Sequence, residues 1–454
     1  MGRHPASHVQ RQFWLTHQLD PSSAAYNIPS GFLFRGEFDV DLFGECLGEL
    51  VERYEIFRST YEMADGVLYQ VVHERPHFDV RTNVIAGDEV GFVADAREIM
   101  NAEAARPFDL KKGPVVRLAL IKSEIPRLAA VSIVVHHIAI DLRTKDLVGE
   151  DLAERYAAKR GKREPRLTPE VVQYDAYSSW SHAWIESEEA SKMQRFWQGH
   201  LEGSTHVLPL YADLPRSDIQ TSEGRVASFA LGEAFGPELA RFSAERRVDS
   251  YVTLLAAYWA LLYRYTRCTD FVVGVPLTNR RKAEFQDVMG CFVNTLPLSI
   301  KVEGEASFDS LLRTVRMAML GAHRNQEAPL EVIVKSVAAK REANRNPLFQ
   351  VGYTFEHPMA LKIDGVSVEQ VVCSTGGAQL DLFLRCWHAK SGIEGQIEFN
   401  RDLFHDATAA RFVKNLKTLL RSAMRDSQTS IDRMSLLSSE ETSLLARWND
   451  TSRG

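Results

Sequence analysis

The first 160 positions alternate between two apolar rhythms. Val9, Phe13 and Trp14 fall at helical spacing, and Ser7 and Gln10 ahead of them stand at capping-box spacing, which predicts a short helix. The stretch "DPSSAAYNIPSG" is turn-rich, and "FLFRGEF" then reads as a strand. Leu42, Phe43, Cys46, Leu47, Leu50 and Val51 share one face of a strong helix. The segment "IFRSTYEM" returns to strand, and "VVRLALIKS" and "LAAVSIVVHH" are two more strands separated by an Ile-Pro turn. From Arg143 to Ala158 the period is helical again, with Leu147, Val148, Leu152 and Tyr156 apolar. Strand and helix in alternation predict an α/β domain.

The pattern loosens between Gly161 and Pro215. "GKREPRLTP" reads as a solvated linker, while "YDAYSSWSHAW" and "KMQRFWQGHLEG" read as aromatic helices. The α/β style then resumes. "VTLLAAYWALLYRYT" is apolar almost all round and predicts a buried helix, "DFVVGVPL" and "LFQVGYTFEH" predict strands, and "FDSLLRTVRMAML" predicts a helix. We expect one unit over residues 1–180, a second over 181–432, and a polar linker around a small helix over 433–454. A chain of 454 residues suits two or three domains.

Composition narrows the function classes. The chain is 45% hydrophobic and 25% charged, with a formal net charge of -6, a balance that offers no global field for nucleic acid or an anionic membrane. It has no apolar run long enough to span a bilayer and no apolar signal core near its start, so the expected location is cytoplasmic. The five cysteines are scattered, with no C-x-x-C pair, which argues for reduced thiols rather than a disulfide framework or zinc ribbon.

The chemistry concentrates in "VVHHIAIDLRT", Val134 to Thr144. Neighbouring side chains on a strand point to opposite faces, so only one of His136 and His137 can face a given cavity. That spacing, with no second His/Cys cluster, argues against a metal site. Asp141 stands where strand gives way to helix and could cap the helix, or be a buried anion that needs a cation. Two core histidines beside a capping aspartate is one reading. A neutral imidazole suited to general-base work, its free pKa of about 6.5 lying close to cellular pH, is the other. No G-x-S-x-G elbow or other protein nucleophile accompanies it, so a base here implies direct transfer between two substrates, such as acyl transfer from a thioester to an amine or hydroxyl.

The segment H-H-I-A-I-D resembles the HHxxxD motif of the acyltransferase superfamily that includes chloramphenicol acetyltransferase and the condensation domains of nonribosomal peptide synthetases. Further segments resemble condensation-domain motifs in family order: "SHVQRQFWLTHQLDPSSAAYNIP", "ERYEIFRSTYE", "YDAYSSW", "VGVPLTNR" with "MGCFVNTLPL", "NQEAPLEVIV", "RNPLFQVGYTFEH" and "FNRDLF". The resemblance implies a V-shaped pseudo-dimer of two chloramphenicol-acetyltransferase-like subdomains, with the site in a tunnel between them. It implies no bound cofactor or metal: substrates arrive on the phosphopantetheine of carrier proteins or as acyl-CoA. His137 matches the tunnel-facing motif histidine and is the expected base. Asp141 and Arg280 match a pair that shapes the site, His136 a packing histidine, and Asn294 the FVNT asparagine, which could orient substrate or cap a turn. Trp14, Arg58, Pro347 and Phe349 match framework positions. The usual Gly-Trp-Ser after the aspartate is Leu142-Arg143-Thr144 here, so Leu142 reshapes the approach to the backbone and puts an oxyanion contact there in doubt.

His136 argues against heterocyclisation domains, which carry Asp there. "FVNTLPL" argues against epimerisation domains, and the opening stretch against those taking D-configured donors. What remains is an elongation domain for an L-configured donor, or a starter domain acylating the first amino acid with a fatty acyl-CoA. Ser7 stands six residues after Met1, and the starter reading is slightly favoured on that ground. The expected partners are an acceptor carrier protein, an upstream carrier protein or acyl-CoA as donor, and an adenylation domain, since "LLARWNDTS" resembles the junction into one. A catalytically idle docking module is the alternative of another class, and loss of the base would be its mark.

Overall fold

The computed structural model describes residues 2–449 except 76, 77, 220, 338, 341, 390 and 391, so the end of the expected linker, 450–454, lies outside it. Two mixed sheets dominate. The first has five strands in the order Val366–Val371, Asn27–Gly36, Leu128–His136, Val116–Ser123, Asp79–Ile85. The second has six, in the order Asn294–Lys301, Asp270–Leu277, Val351–Glu356, Leu382–Ala389, Gly392–Asn400, Gly224–Ala230. A small third sheet joins Gly2–Pro5 to Val67–Val72 and Ser59–Ala64.

The strand leading to the histidines is buried along its whole length because both of its faces are covered. Ala129, Val131 and Ile133 join the core that includes helices Val40–Arg53 and Leu142–Arg160, while Leu128 and Ala130 join Phe92, Ala96 and Met100 of helix Glu89–Ala105. Burial on two faces is why this strand reads as a continuous apolar run rather than an alternating one. In the second half, helix Ser250–Thr266 is buried on every side, as its composition predicts. The capping box is present: the Ser7 hydroxyl accepts from Gln10 N–H and the Gln10 side chain accepts from Ser7 N–H.

Some expected boundaries shift. The strand expected through Phe38 ends at Gly36, whose φ of 134° no β-carbon would tolerate comfortably. The start of "IFRSTYEM" is a 3-10 turn, Glu55–Arg58, and the strand begins only at Ser59. There Ile56 and Phe57 turn into the core, and the Ser59 hydroxyl donates to Glu55 carbonyl at 2.6 Å. Two facts bear on where the chain divides. Residue 180 lies inside helix Tyr174–Ile185, and strand Val366–Val371 leaves the second half to pair with Asn27–Gly36 of the first. The halves are laced together rather than joined at one point.

Candidate active site

The histidine strand ends at His136, and the next three residues form a 3-10 turn before helix Leu142–Arg160 begins. Asp141 caps that helix, accepting from Thr144 N–H at 2.8 Å. Its carboxylate also accepts from Arg280 Nη2 at 3.0 Å and Nε at 3.3 Å, and from Phe292 N–H at 3.0 Å. Arg280 in turn donates to the carbonyls of Phe285 and Val288 at 2.8 and 2.7 Å and to the Thr144 hydroxyl at 2.8 Å, and lies 3.8 Å over the Phe292 ring. Both side chains are 3% exposed, so each charge depends on the other. Together they tie the turn carrying His137 to loop 280–292 of the second half.

Gly290 completes this latch. Its N–H donates to Thr144 Oγ1 at 3.0 Å, and the same hydroxyl donates to its carbonyl at 2.6 Å. Gly290 has φ of 152°, and a β-carbon there would stand 1.9 Å from the Tyr174 ring, so no larger residue fits without displacing that ring.

His137 opens on a cavity of about 720 Å³ walled by both halves. Its Nδ1 lies 2.7 Å from Ile140 carbonyl oxygen. A carbonyl only accepts, so Nδ1 carries the proton and Nε2 keeps its lone pair. The ring stacks on Phe13 at 4.8 Å, its backbone N–H donates to Tyr26 carbonyl at 2.8 Å, and Cys291 Sγ lies 3.7 Å from Nδ1. Burial lowers the imidazole pKa below its ordinary value, so the ring is neutral at cellular pH. The Cys291 thiol is pushed well up by burial and stays a thiol.

The two histidines do part company. His136 is buried with its Nδ1 accepting from Ile138 N–H at 3.1 Å, edge-on to His17 and Phe108, and takes no part in the cavity wall. Leu142 lines the cavity. Asn294 does not: it donates to the carbonyls of Gln326 and Ala328 and accepts from Leu330 N–H, so its amide is occupied by the backbone it ties down. Trp14 is packed in the core, Arg58 donates to Glu52 carbonyl at 3.1 Å, Phe349 lies over Gly274 at the cavity wall, and Pro347 is half-buried. Among the described residues no group of His, Cys, Asp and Glu could hold a metal ion, and no helix is long and apolar enough to cross a membrane.

Charged residues in the wall escaped the sequence reading, among them Lys145, Glu356 and Arg385, which are grouped near His137. Arg385 Nη1 donates to Glu356 Oε1 at 2.8 Å, and its Nη2 lies 3.5 Å from Glu398 Oε2 behind it. Glu398 also accepts from Gln379 N–H at 2.8 Å. Burial alone would raise the Glu356 pKa, but Arg385 and Lys145 outweigh it and hold the carboxyl below its ordinary range. The only sequence signal was a charge inside each of the apolar stretches "VGYTFEH" and "LFLRCWHA", and nothing local said that the two strands are neighbours.

Comparison with known proteins gives the family and the fold. The condensation-domain family profile matches residues 2–446, so the chain belongs to the condensation-domain family. It is 33% identical over 462 residues to a linear gramicidin synthase of Brevibacillus parabrevis, and 29% identical over 446 residues to bacitracin synthase 3 of Bacillus licheniformis. Each alignment covers 98% of this chain but only 9% and 7% of those synthases, so the chain spans less than a tenth of their length. The fold is also that of the first condensation domain of the calcium-dependent antibiotic synthetase, with TM-score 0.82, 22% identity, and 96% and 99% of the two chains covered. The X-domain from teicoplanin biosynthesis has TM-score 0.84 at 23% identity, covering 96% and 98%. The starter condensation domain of rhizomide synthetase has TM-score 0.82 at 20% identity, covering 96% and 98%. The chain is thus a pair of chloramphenicol-acetyltransferase-like subdomains, an acyltransferase domain of the kind that forms amide bonds in nonribosomal peptide synthetases.

Proposed function

We propose that this domain joins a carrier-bound aminoacyl or peptidyl thioester to the α-amine of an aminoacyl group on a second carrier, with His137 as general base. The carrying observation is the Nε2 lone pair of a neutral, backbone-anchored imidazole opening on a cavity that both halves wall. The acceptor amine attacks the thioester carbonyl carbon, and His137 Nε2 takes the proton that the nitrogen sheds. The tetrahedral intermediate collapses, the C–S bond breaks, and the thiolate leaves with that proton, so that the imidazole is neutral again. Asp141 and Arg280 position the turn and transfer no proton, since both are fully engaged with each other and with backbone. No protein nucleophile enters the scheme: Cys291, beside the ring, is a buried thiol.

Three charged residues of the wall support the elongation reading adopted here in place of the starter reading. Lys145, Glu356 and Arg385 face the space within an otherwise largely apolar lining, and a saturated tail laid along these three would strip water from charges and offer the Lys145 ammonium nothing. An aminoacyl or peptidyl chain offers polar groups instead. The cytoplasm as location, phosphopantetheine as the delivering arm, and an adenylation domain as neighbour belong to the same proposal. The test is product mass across two donor sets, carrier-bound aminoacyl thioesters and saturated acyl-CoAs of increasing length, with one aminoacyl carrier as acceptor. Product from the first set and none from the second is expected. Product only from acyl-CoA, with yield climbing as each methylene adds about 0.8 kcal/mol of burial, would establish the starter role instead.

A further inference from the structure

The first turn of helix Leu142–Arg160 sorts its side chains by direction. Thr144 points to the Gly290 latch, and Arg143 to Glu150 and Asp287 at the surface. Leu142 and Lys145, three apart and so on one face, line the cavity. Lys145 is misplaced on structural grounds. A cation in the first turn opposes the helix macrodipole, and no described residue lies within hydrogen-bonding or ion-pairing distance of its ammonium. The nearby carboxylates are taken: Asp146 by His357 at 2.9 Å, and Glu356 by Arg385 at 2.8 Å. Glu398, the remaining carboxylate of the group, is spent on Arg385 and on Gln379 N–H behind the wall. This part of the cavity face is therefore an ion pair, Glu356 with Arg385, beside an ammonium with donors to spare.

Once a substrate displaces the water of this cavity the ammonium needs an acceptor, and the ligand must supply it. A saturated acyl chain has no acceptor beyond its thioester carbonyl. An aminoacyl or peptidyl chain carries amide carbonyls further along. We propose that Lys145 is a specificity-determining residue that donates to an amide carbonyl of the donor acyl chain and so selects N-acylated aminoacyl or peptidyl donors over saturated ones. This rests on the elongation reading above. Burial lowers the Lys145 pKa while the nearby Glu356 and Asp146 raise it.

The experiment compares two donors on the same carrier and the same pantetheine arm: octanoyl, and an N-acetyl-aminoacyl group of similar length. For each protein the ratio of their kcat/KM values is measured with one aminoacyl carrier as acceptor. Wild type should favour the N-acetyl-aminoacyl donor. Lys145→Met, close in size but apolar, should lower the ratio about tenfold to a hundredfold, the range expected for a hydrogen bond to a charged group. Lys145→Arg should restore most of it. Because the ratio is internal to each variant, a loss of folded protein cancels. If wild type favours the N-acetyl-aminoacyl donor and Lys145→Met loses activity equally on both, the ammonium serves the shared pantetheine arm or the fold, and this proposal fails alone. An unchanged ratio with unchanged activity overturns it likewise. If wild type favours octanoyl, the elongation reading itself falls, and the proposal with it.

Discussion

The site is decided by which group each side chain is already bound to. His137 is free at Nε2 because Nδ1 is committed to Ile140 carbonyl, and His136, its neighbour, is committed to Ile138 N–H. The sequence shows the two must diverge, since strand neighbours face opposite ways. Which one reaches the cavity came there from family resemblance, because the answer depends on the 3-10 turn that follows. Asp141 and Arg280 are 139 residues apart in the chain, and only the fold brings them to 3.0 Å. Removing one partner leaves the other charge buried. Asp141→Ala should cost on the order of 3–5 kcal/mol of stability and lower activity with it, read as the midpoint of denaturant unfolding. An unchanged midpoint would mean that the pair is dispensable to the fold. Lys145 was legible as a residue but not as a site, since nothing in "DLRTKDL" marks which side of the helix meets a cavity.

At the scale of elements, the strong periodicities were legible: the helix behind Ser7, the amphipathic helix Val40–Arg53, the two strands before the histidines and the all-round buried helix Ser250–Thr266 all form. What was not legible is pairing across distance. Strand Val366–Val371 has an alternating pattern of partial exposure, typical of an edge, and nothing in it names Asn27–Gly36 as its partner. The loop at Gly290 is the element most exposed to a single change. Gly290→Ala adds one methyl group against Tyr174 and breaks the fit of the Thr144 latch. We expect a protein that folds, with a lower melting temperature and a large fall in kcat, because the turn carrying His137 loses its brace. Equal kcat in that variant would show that the latch does not position the base.

At the scale of the whole molecule, histidines with lowered pKa values tie stability to pH. His8, His136 and His137 all have pKa values lowered chiefly by burial, His8 to about 4 and His136 well below its ordinary value. The unfolded chain binds these protons near pH 6.5 and the folded chain does not, so their contribution to stability is present above about pH 6.5 and is lost as pH falls. Each adds a slope of about 1.4 kcal/mol per pH unit over its window, which for His8 closes near pH 4. Melting temperature should hold from pH 8 to 7 and decline steadily from pH 6.5 to 5, and His8→Phe should soften the decline. A flat curve down to pH 5 would contradict the burial of these rings.

The claim on which the rest depends is that His137 is the base for amide formation in a tunnel between two halves. Single-turnover amide formation, with donor and acceptor both loaded on carriers and the product read by intact mass, tests it with the fewest intervening steps. Run at pH 7.5 on wild type and His137→Ala, with circular dichroism to show that both are folded, it should give a rate about a hundred- to ten-thousandfold lower in the variant. Turnover by folded His137→Ala within a few-fold of wild type would contradict the account.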